Sequence, residues 1–144
     1  MRVRESVGWI GLTAFIIVVL LITITPDQVD ADREWVDRLL DAMHGIGVPR
    51  WFDYDQLEFT ANIVMFLPIG FFLGILLHRR CWIGATIVTL FTAFIETVQL
   101  LFLPSRVASL GDVLANSLGG WIGLGAALLL CRLLEHPRRA RASA

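Results

Sequence analysis

Charged residues make up only 17% of this 144-residue sequence, whereas 56% of its residues are hydrophobic. A water-soluble domain needs enough polar surface to cover its core, and this composition does not supply it. The net charge is −1, so no basic excess favours nucleic acid as a partner. The scarcity of charge therefore excludes an ordinary soluble domain and indicates a membrane protein.

Potential metal ligands are also few, with two cysteines and three histidines in the whole sequence. Cys81 and Cys131 each stand alone at the end of a hydrophobic stretch, which suggests neither a disulfide framework nor a zinc site. No His/Cys cluster has metal-ligand spacing, and no glycine-rich loop is of the kind that cradles phosphates. We therefore expect neither a metal nor a cofactor.

Four stretches are long and apolar enough to cross a bilayer, which takes about 20 helical residues. They are residues 7–25, 59–77, 81–103 and 113–131. The first stretch follows two arginines, as a signal peptide does, but it ends in Thr-Ile-Thr-Pro rather than at a small-x-small cleavage site. We therefore expect an uncleaved helix and an all-α, polytopic fold with four transmembrane helices.

The arginines predict the orientation of these helices. Eight of the twelve precede the first span, lie between the second and third spans, or follow the fourth. The other side of the membrane receives four arginines and an acidic run in the first loop, comprising Asp27, Asp30, Asp32, Glu34, Asp37, Asp41, Asp53 and Asp55. The positive-inside rule then predicts a multi-pass protein of the cell membrane with both termini in the cytoplasm.

The long first loop contains a helical pattern of its own. Val36, Leu39, Leu40 and Met43 recur at i, i+3, i+4 and i+7, with charged residues between them. This pattern predicts an amphipathic helix that lies either on the outer membrane surface or over the mouth of the bundle. We divide the chain into a first transmembrane helix (1–25), a domain of the loop and three helices (26–130), and a basic cytoplasmic tail (131–144), disordered from Pro137.

The most informative residues are polar ones inside or next to the spans. All six fall at the predicted outer end of the last three spans, whereas random placement would scatter them across both leaflets. Glu96 would lie roughly 10 Å below the outer interface at 1.5 Å of rise per residue. The six are Asn62, Glu96, Gln99, Arg106, Asp112 and Asn116.

Spacing and energetics indicate that these residues face each other. Glu96 and Gln99 are separated by three positions and Asp112 and Asn116 by four, so each pair shares a helix face. A carboxylate in hydrocarbon costs several kcal/mol unless it is paired, protonated or hydrated. We expect Arg106 to neutralise Glu96 or Asp112, and these three residues are the candidates for acid–base catalysis. Amide side chains are the candidates for ligand binding: Asn62, Gln99 and Asn116.

Two glycine motifs are typical of close helix packing. Gly70 and Gly74 form a GxxxG motif in the second span, and Gly119 and Gly123 form another in the fourth. Such faces allow either packing within the chain or oligomerisation. Pro68 should kink the second span and leave one helix carbonyl without its usual N–H partner, which a neighbouring group can satisfy.

Three segments of the sequence resemble the motifs of VanZ-like proteins. Residues 62–70 resemble the N-x-x-x-F-x-P-x-G signature of that family, and residues 95–99 are similar to its I-E-x-x-Q element. Arg106 and residues 112–120 resemble the closing R…D-(V/I)-x-x-N-x-x-G element. The resemblance extends over residues 26–130. Within that range, the long acidic first loop is the one part that does not align with the family.

The resemblance implies a membrane protein of the bacterial envelope. The family's founding member is associated with low-level resistance to the glycopeptide teicoplanin, and the resemblance identifies no reaction, so it leaves open whether the chain is an enzyme. The motif residues include the polar candidates above and a set with a structural role: Pro68, Gly70, Gly119 and Gly120.

These observations lead to competing hypotheses of function. The first is a site at the outer leaflet for a membrane lipid or a lipid-linked, amphiphilic and anionic envelope intermediate, where Arg106 would meet the anion. The second is a non-catalytic scaffold or assembly factor whose polar network is structural. An ion or solute carrier is a weaker third hypothesis, because four spans are few and no inverted repeat is visible.

Overall fold

The structure, a computed structural model, describes residues 3–24, 33–103 and 109–142. These residues form five helices and no strand, which confirms the predicted all-α fold. In chain order the helices are α1 (Val3–Ile24), α2 (Arg33–Gly45), α3 (Tyr54–Leu76), α4 (Cys81–Phe102) and α5 (Leu110–Ala142). Four of them are long and apolar enough to cross a membrane, namely Val3–Thr23, Tyr54–Leu76, Cys81–Phe102 and Leu110–Leu134.

Local capping explains why α3 begins five residues before the predicted apolar stretch. The Asp53 side chain accepts the backbone N–H of Asp55 at 3.1 Å, and the Gln56 side chain accepts the N–H of Asp53 at 3.1 Å. This capping box provides partners for two backbone donors that a helix N-terminus otherwise leaves unpaired. The helix then continues through Pro68 to Leu76.

The end of α5 differs from our expectation. The tail from Pro137 was predicted to be disordered, and that prediction is wrong, because α5 continues through Pro137 as far as Ala142. Proline removes one backbone donor from the helix. The leucine, arginine and alanine residues on either side have high helix propensity, which favours continuation of the helix.

The predicted helix in the first loop is present as α2. Val36 is only 2% exposed, whereas the charged residues around it face outward. The segment that follows folds back on this helix: His44 Nε2 lies 3.0 Å from the Phe52 carbonyl oxygen, and the Val48 N–H donates to the Met43 carbonyl at 3.0 Å. Within the described residues α2 makes no extensive contact with the four long helices, which favours the membrane surface over the bundle mouth.

The four long helices pack so that α1 lies against α3, α3 against α5, and α5 against α4, with smaller contacts from α4 to α3 and α1. The central layer is apolar and includes Val19, Phe66, Ile69, Val88 and Ile95. Large apolar side chains on the outside remain exposed in every long helix, for example at Leu21, Val64, Leu90 and Leu129. An apolar outer surface around buried polar groups is the pattern expected in lipid.

Helices α3 and α5 are in backbone contact. A Cβ built on Gly119 would overlap the Ile63 carbonyl, and one built on Gly123 would overlap the Leu67 carbonyl. Because both partners advance by four residues together, α3 and α5 run parallel, and α4 forms the crossover between them.

Gly70 belongs to the same contact, because a Cβ there would overlap the backbone carbonyl of Gly120. The two predicted glycine faces therefore pack against each other within one chain. Oligomerisation stays a prediction, and in this fold it would need a different surface.

Candidate functional site

Polar side chains concentrate at one end of the bundle, which we call the polar end: there α1 and α4 end, and α3 and α5 begin. The buried polar residues of the described chain are Thr23, Thr92, Glu96, Gln99, Asn116 and Ser117. Hydrogen bonds at the polar end join α3 to α5, α4 to α5, and α4 to α1. The network therefore reaches all four long helices.

The first link joins α3 to α5. The Asn62 side-chain amide donates to Asp112 Oδ1 at 2.7 Å, and both side chains are half-buried. Asp112 lies in the first turn of α5, where the positive end of the helix dipole stabilises a carboxylate. The carboxylate is thus held by its own helix and by the neighbouring one.

The second link joins α4 to the start of α5 through the buried carboxyl group of Glu96. Glu96 is 8% exposed, and its Oε2 accepts the backbone N–H of Ser109 at 3.0 Å. Ser109 is the N-cap of α5, because its hydroxyl oxygen accepts the N–H of Gly111 at 3.0 Å. The start of α5 is therefore joined to α4 by a hydrogen bond from its backbone to the Glu96 carboxyl group.

The third link lies one turn further into the bundle. The Asn116 side-chain amide donates to Thr92 Oγ1 at 2.9 Å, and both side chains are almost fully buried. Thr92 precedes Glu96 by four residues, so the two links share one face of α4. Asn116 Oδ1 and Ser117 Oγ are buried and have no hydrogen-bond partner among the described residues.

The fourth link connects α4 to α1. Gln99 Nε2 donates to the Thr23 backbone carbonyl at 3.0 Å, and the Thr23 hydroxyl donates to the Val19 carbonyl at 2.8 Å. The Thr23 carbonyl lies in the last turn of α1, where carbonyls lack intrahelical donors and can accept from another helix. Gln99 therefore connects α1 to the network by a hydrogen bond.

The structure thus places five of the six polar candidates in this network. Arg106, the expected partner of Glu96 or Asp112, lies outside the described residues, so its pairing stays a prediction. The structural-motif residues Gly70, Gly119 and Gly120 line the α3–α5 contact, with Pro68 half-buried on α3. Within the described ranges no group of three or more His, Cys, Asp or Glu side chains has the geometry to hold a metal ion.

Sequence reasoning missed Thr92, Ser109, Thr23 and Ser117. Two of them carried a usable signal. Ser109 begins the pattern Ser-x-x-Asp before an apolar run, which is typical of a helix N-terminus. Thr92 lies one turn from Glu96 on the same face. Thr23 contributes a backbone carbonyl, which no side-chain pattern reveals.

Two carboxylates, three amides and four hydroxyl groups at one end of a helical membrane bundle define a class: polytopic helical membrane proteins with a buried polar network. The family model described as VanZ/LLP1 matches residues 12–132, so the chain belongs to the VanZ/LLP1 family. A search of curated proteins and a search of solved structures each found no match to this chain.

Proposed function

We propose that the polar end is a binding site, at the outer leaflet, for an amphiphilic anionic ligand such as a lipid-linked envelope intermediate. The observation that carries the proposal is the burial of the Glu96 carboxylate within a network that ties four helices together at one end. Ionisable side chains inside membrane spans are costly and mark functional sites by default. Membership of the VanZ/LLP1 family further supports a link to glycopeptide susceptibility, including teicoplanin.

The site residues take distinct roles in this proposal. Arg106 meets the anionic group, because a guanidinium binds phosphate or carboxylate bidentately. Glu96 and Asp112 exchange protons or hydrogen bonds with the polar part of the ligand. Asn62 and Asn116 position the carboxylates and the ligand. The apolar part of the ligand would remain in the surrounding hydrocarbon.

A specific observation favours a second function, that of a non-catalytic scaffold or assembly factor. The amide nitrogens of Asn62, Gln99 and Asn116 each already donate to a protein oxygen, and Glu96 already accepts from Ser109. A network whose amide donors are all engaged with protein oxygens stabilises a bundle without any ligand. The two functions differ in what the Glu96 charge does.

Substitution of Glu96 distinguishes them. A strain that lacks this protein is first profiled against envelope-targeting antibiotics, teicoplanin included, and the altered susceptibility is then restored with the wild-type chain. Glu96→Gln keeps an acceptor for the Ser109 N–H but removes the charge. If the polar end is a binding site, this variant should fail to restore the wild-type antibiotic susceptibility although its abundance in the membrane is normal.

The matched control is Thr97→Val, one residue further along α4. Its side chain is exposed on the outside of the helix, and among the described residues it hydrogen-bonds only to the Ala93 carbonyl of its own helix. It should restore the phenotype fully. If Glu96→Gln instead restores it in proportion to its membrane abundance, the scaffold function is supported and the binding site is not.

A further inference from the structure

A second feature at the polar end is a groove beside the start of α3, with a volume of about 490 Å³. The volume falls within the range of ligand pockets, about 300–1,000 Å³. The groove is mostly apolar and is lined by Trp51, Phe52, Asp55, Gln56, Phe59 and Thr60. None of these residues belongs to the hydrogen-bond network described above.

The position of the groove relates it to the membrane surface. Helix α3 begins at Tyr54 and its uncharged apolar stretch begins at Phe59, so Trp51 and Phe52 precede the helix and Phe59 is the first residue of that stretch. Trp51 is 69% exposed and Phe59 is 40% exposed. The groove therefore extends from the headgroup level, which tryptophan favours, into the hydrocarbon.

The charge of the groove indicates what it binds. Asp55 is the one charged residue in its lining, and within the described residues its carboxylate makes no hydrogen bond or ion pair. Residues 50–60, which include the whole lining of the groove, contain three acidic side chains and one basic side chain, which disfavours an anionic headgroup. The Trp51 ring lies edge-on to Phe52, with 6.2 Å between ring centroids, and its exposed surface suits a cation.

We infer that this groove binds the ammonium headgroup of a membrane lipid, with Asp55 as its counter-charge, Trp51 against the ammonium, and Phe59 along the upper acyl chain. The inference does not depend on a ligand at the buried network. Asp55, Phe59 and Asn62 are spaced i, i+4 and i+7, so the groove and the network occupy successive turns of one face of α3. A lipid held there would border the network.

The test is retention of lipid by the purified protein. The protein is reconstituted in vesicles that contain equal amounts of phosphatidylethanolamine and phosphatidylglycerol, extracted mildly, and its bound lipids are quantified by native mass spectrometry. The wild-type chain should retain phosphatidylethanolamine in preference. Asp55→Asn and Trp51→Ala should each reduce that preference by about two- to five-fold, as expected for one partly exposed ionic or cation–π contact.

Asp41→Asn is the matched control, because it removes an exposed carboxylate of α2 that does not line the groove. It should leave the preference unchanged. Thermal unfolding of each variant confirms that the fold is retained, which is expected because the Asp55 side chain makes no contact that supports the helix cap.

The inference is overturned by a wild-type chain without headgroup preference, which would indicate a simple aromatic anchor. Equal effects of Asp41→Asn and Asp55→Asn, or no effect of Asp55→Asn, would overturn it as well.

Discussion

The side-chain amide of Asn62 lies 2.7 Å from Asp112 Oδ1, and this contact joins two helices across 50 positions of sequence. It lies at the same end of the α3–α5 pair as the contact of Gly119 with Ile63. The polar contact therefore fixes the register of two helices whose backbones also touch.

Either single substitution should already remove this contact, so the costs of the two substitutions should not add. Asn62→Ala and Asp112→Ala should each lower the free energy of unfolding by about 1.5–3 kcal/mol, the range for a hydrogen bond to a charged group. The double variant should lose less than the sum, with a coupling of roughly 0.5–3 kcal/mol. Dodecyl sulfate titration of the purified protein in micelles measures all three. If the two losses of unfolding free energy add strictly, the contact is contradicted. The control is Asn62→Ala combined with Asp41→Ala, whose losses should add because these two residues are not in contact.

Two neighbouring hydroxyl groups should respond in opposite ways. Thr92→Val removes the acceptor of the Asn116 amide and should cost about 1–3 kcal/mol, because a buried donor loses its partner. Ser117→Ala removes a hydroxyl that has no partner among the described residues, so it should be neutral or slightly stabilising. Thermal unfolding of both variants in the same micelles compares them. An equal loss in both would mean that the Ser117 hydroxyl is paired in the membrane.

The expected pairing of Glu96 with Arg106 has its own test. Removing Glu96 would leave the guanidinium without its counter-charge, so Glu96→Ala and Arg106→Ala together should destabilise less than the sum of the single changes. The same titration measures the three variants. If the effects add, the Ser109 N–H, rather than Arg106, is the main partner of Glu96.

The elements of the fold could be predicted because each has a local signal. Four apolar stretches and the i, i+3, i+4, i+7 pattern of Val36 to Met43 correspond to the five helices. Partners could not be predicted in the same way. The pairing of Asn62 with Asp112 depends on the rotation of two helices about their axes, which the glycine contacts set through packing rather than through local sequence.

The candidate site was predictable to a similar degree. Burial energetics selected Glu96 and Asn116, because polar groups in a span need partners inside the bundle. The structure adds the backbone N–H of Ser109 as a partner of Glu96, and the expected partner Arg106 lies outside the described residues. Backbone partners depend on where a helix begins, and the capping serine determines that start.

The orientation of the bundle is a prediction from the arginine distribution. Single cysteines placed at Asp41, Arg79 and Arg139, after Cys81 and Cys131 are changed to serine, report it through a membrane-impermeant thiol reagent. The cysteine at 41 should react in intact cells, and those at 79 and 139 only after permeabilisation. Labelling of position 79 in intact cells would reverse the orientation and move the proposed site to the inner leaflet.

Two glycine substitutions should separate backbone contact from helix propensity. A Cβ at Gly70 would overlap the carbonyl of Gly120, and backbone on a second helix cannot move aside as a flexible side chain can. Gly70→Ala should therefore destabilise the bundle by about 3 kcal/mol, at the upper end of overpacking. Gly125 lies on α5, as Gly120 does, but a Cβ built on it has no atom within 4 Å. Gly125→Ala should therefore stabilise the bundle by up to about 1 kcal/mol through helix propensity. Unfolding titrations of the two variants measure both signs. If Gly70→Ala is as stable as the wild-type chain, α3 and α5 are further apart than described here, and the register that brings Asn62 to Asp112 would have to be revised.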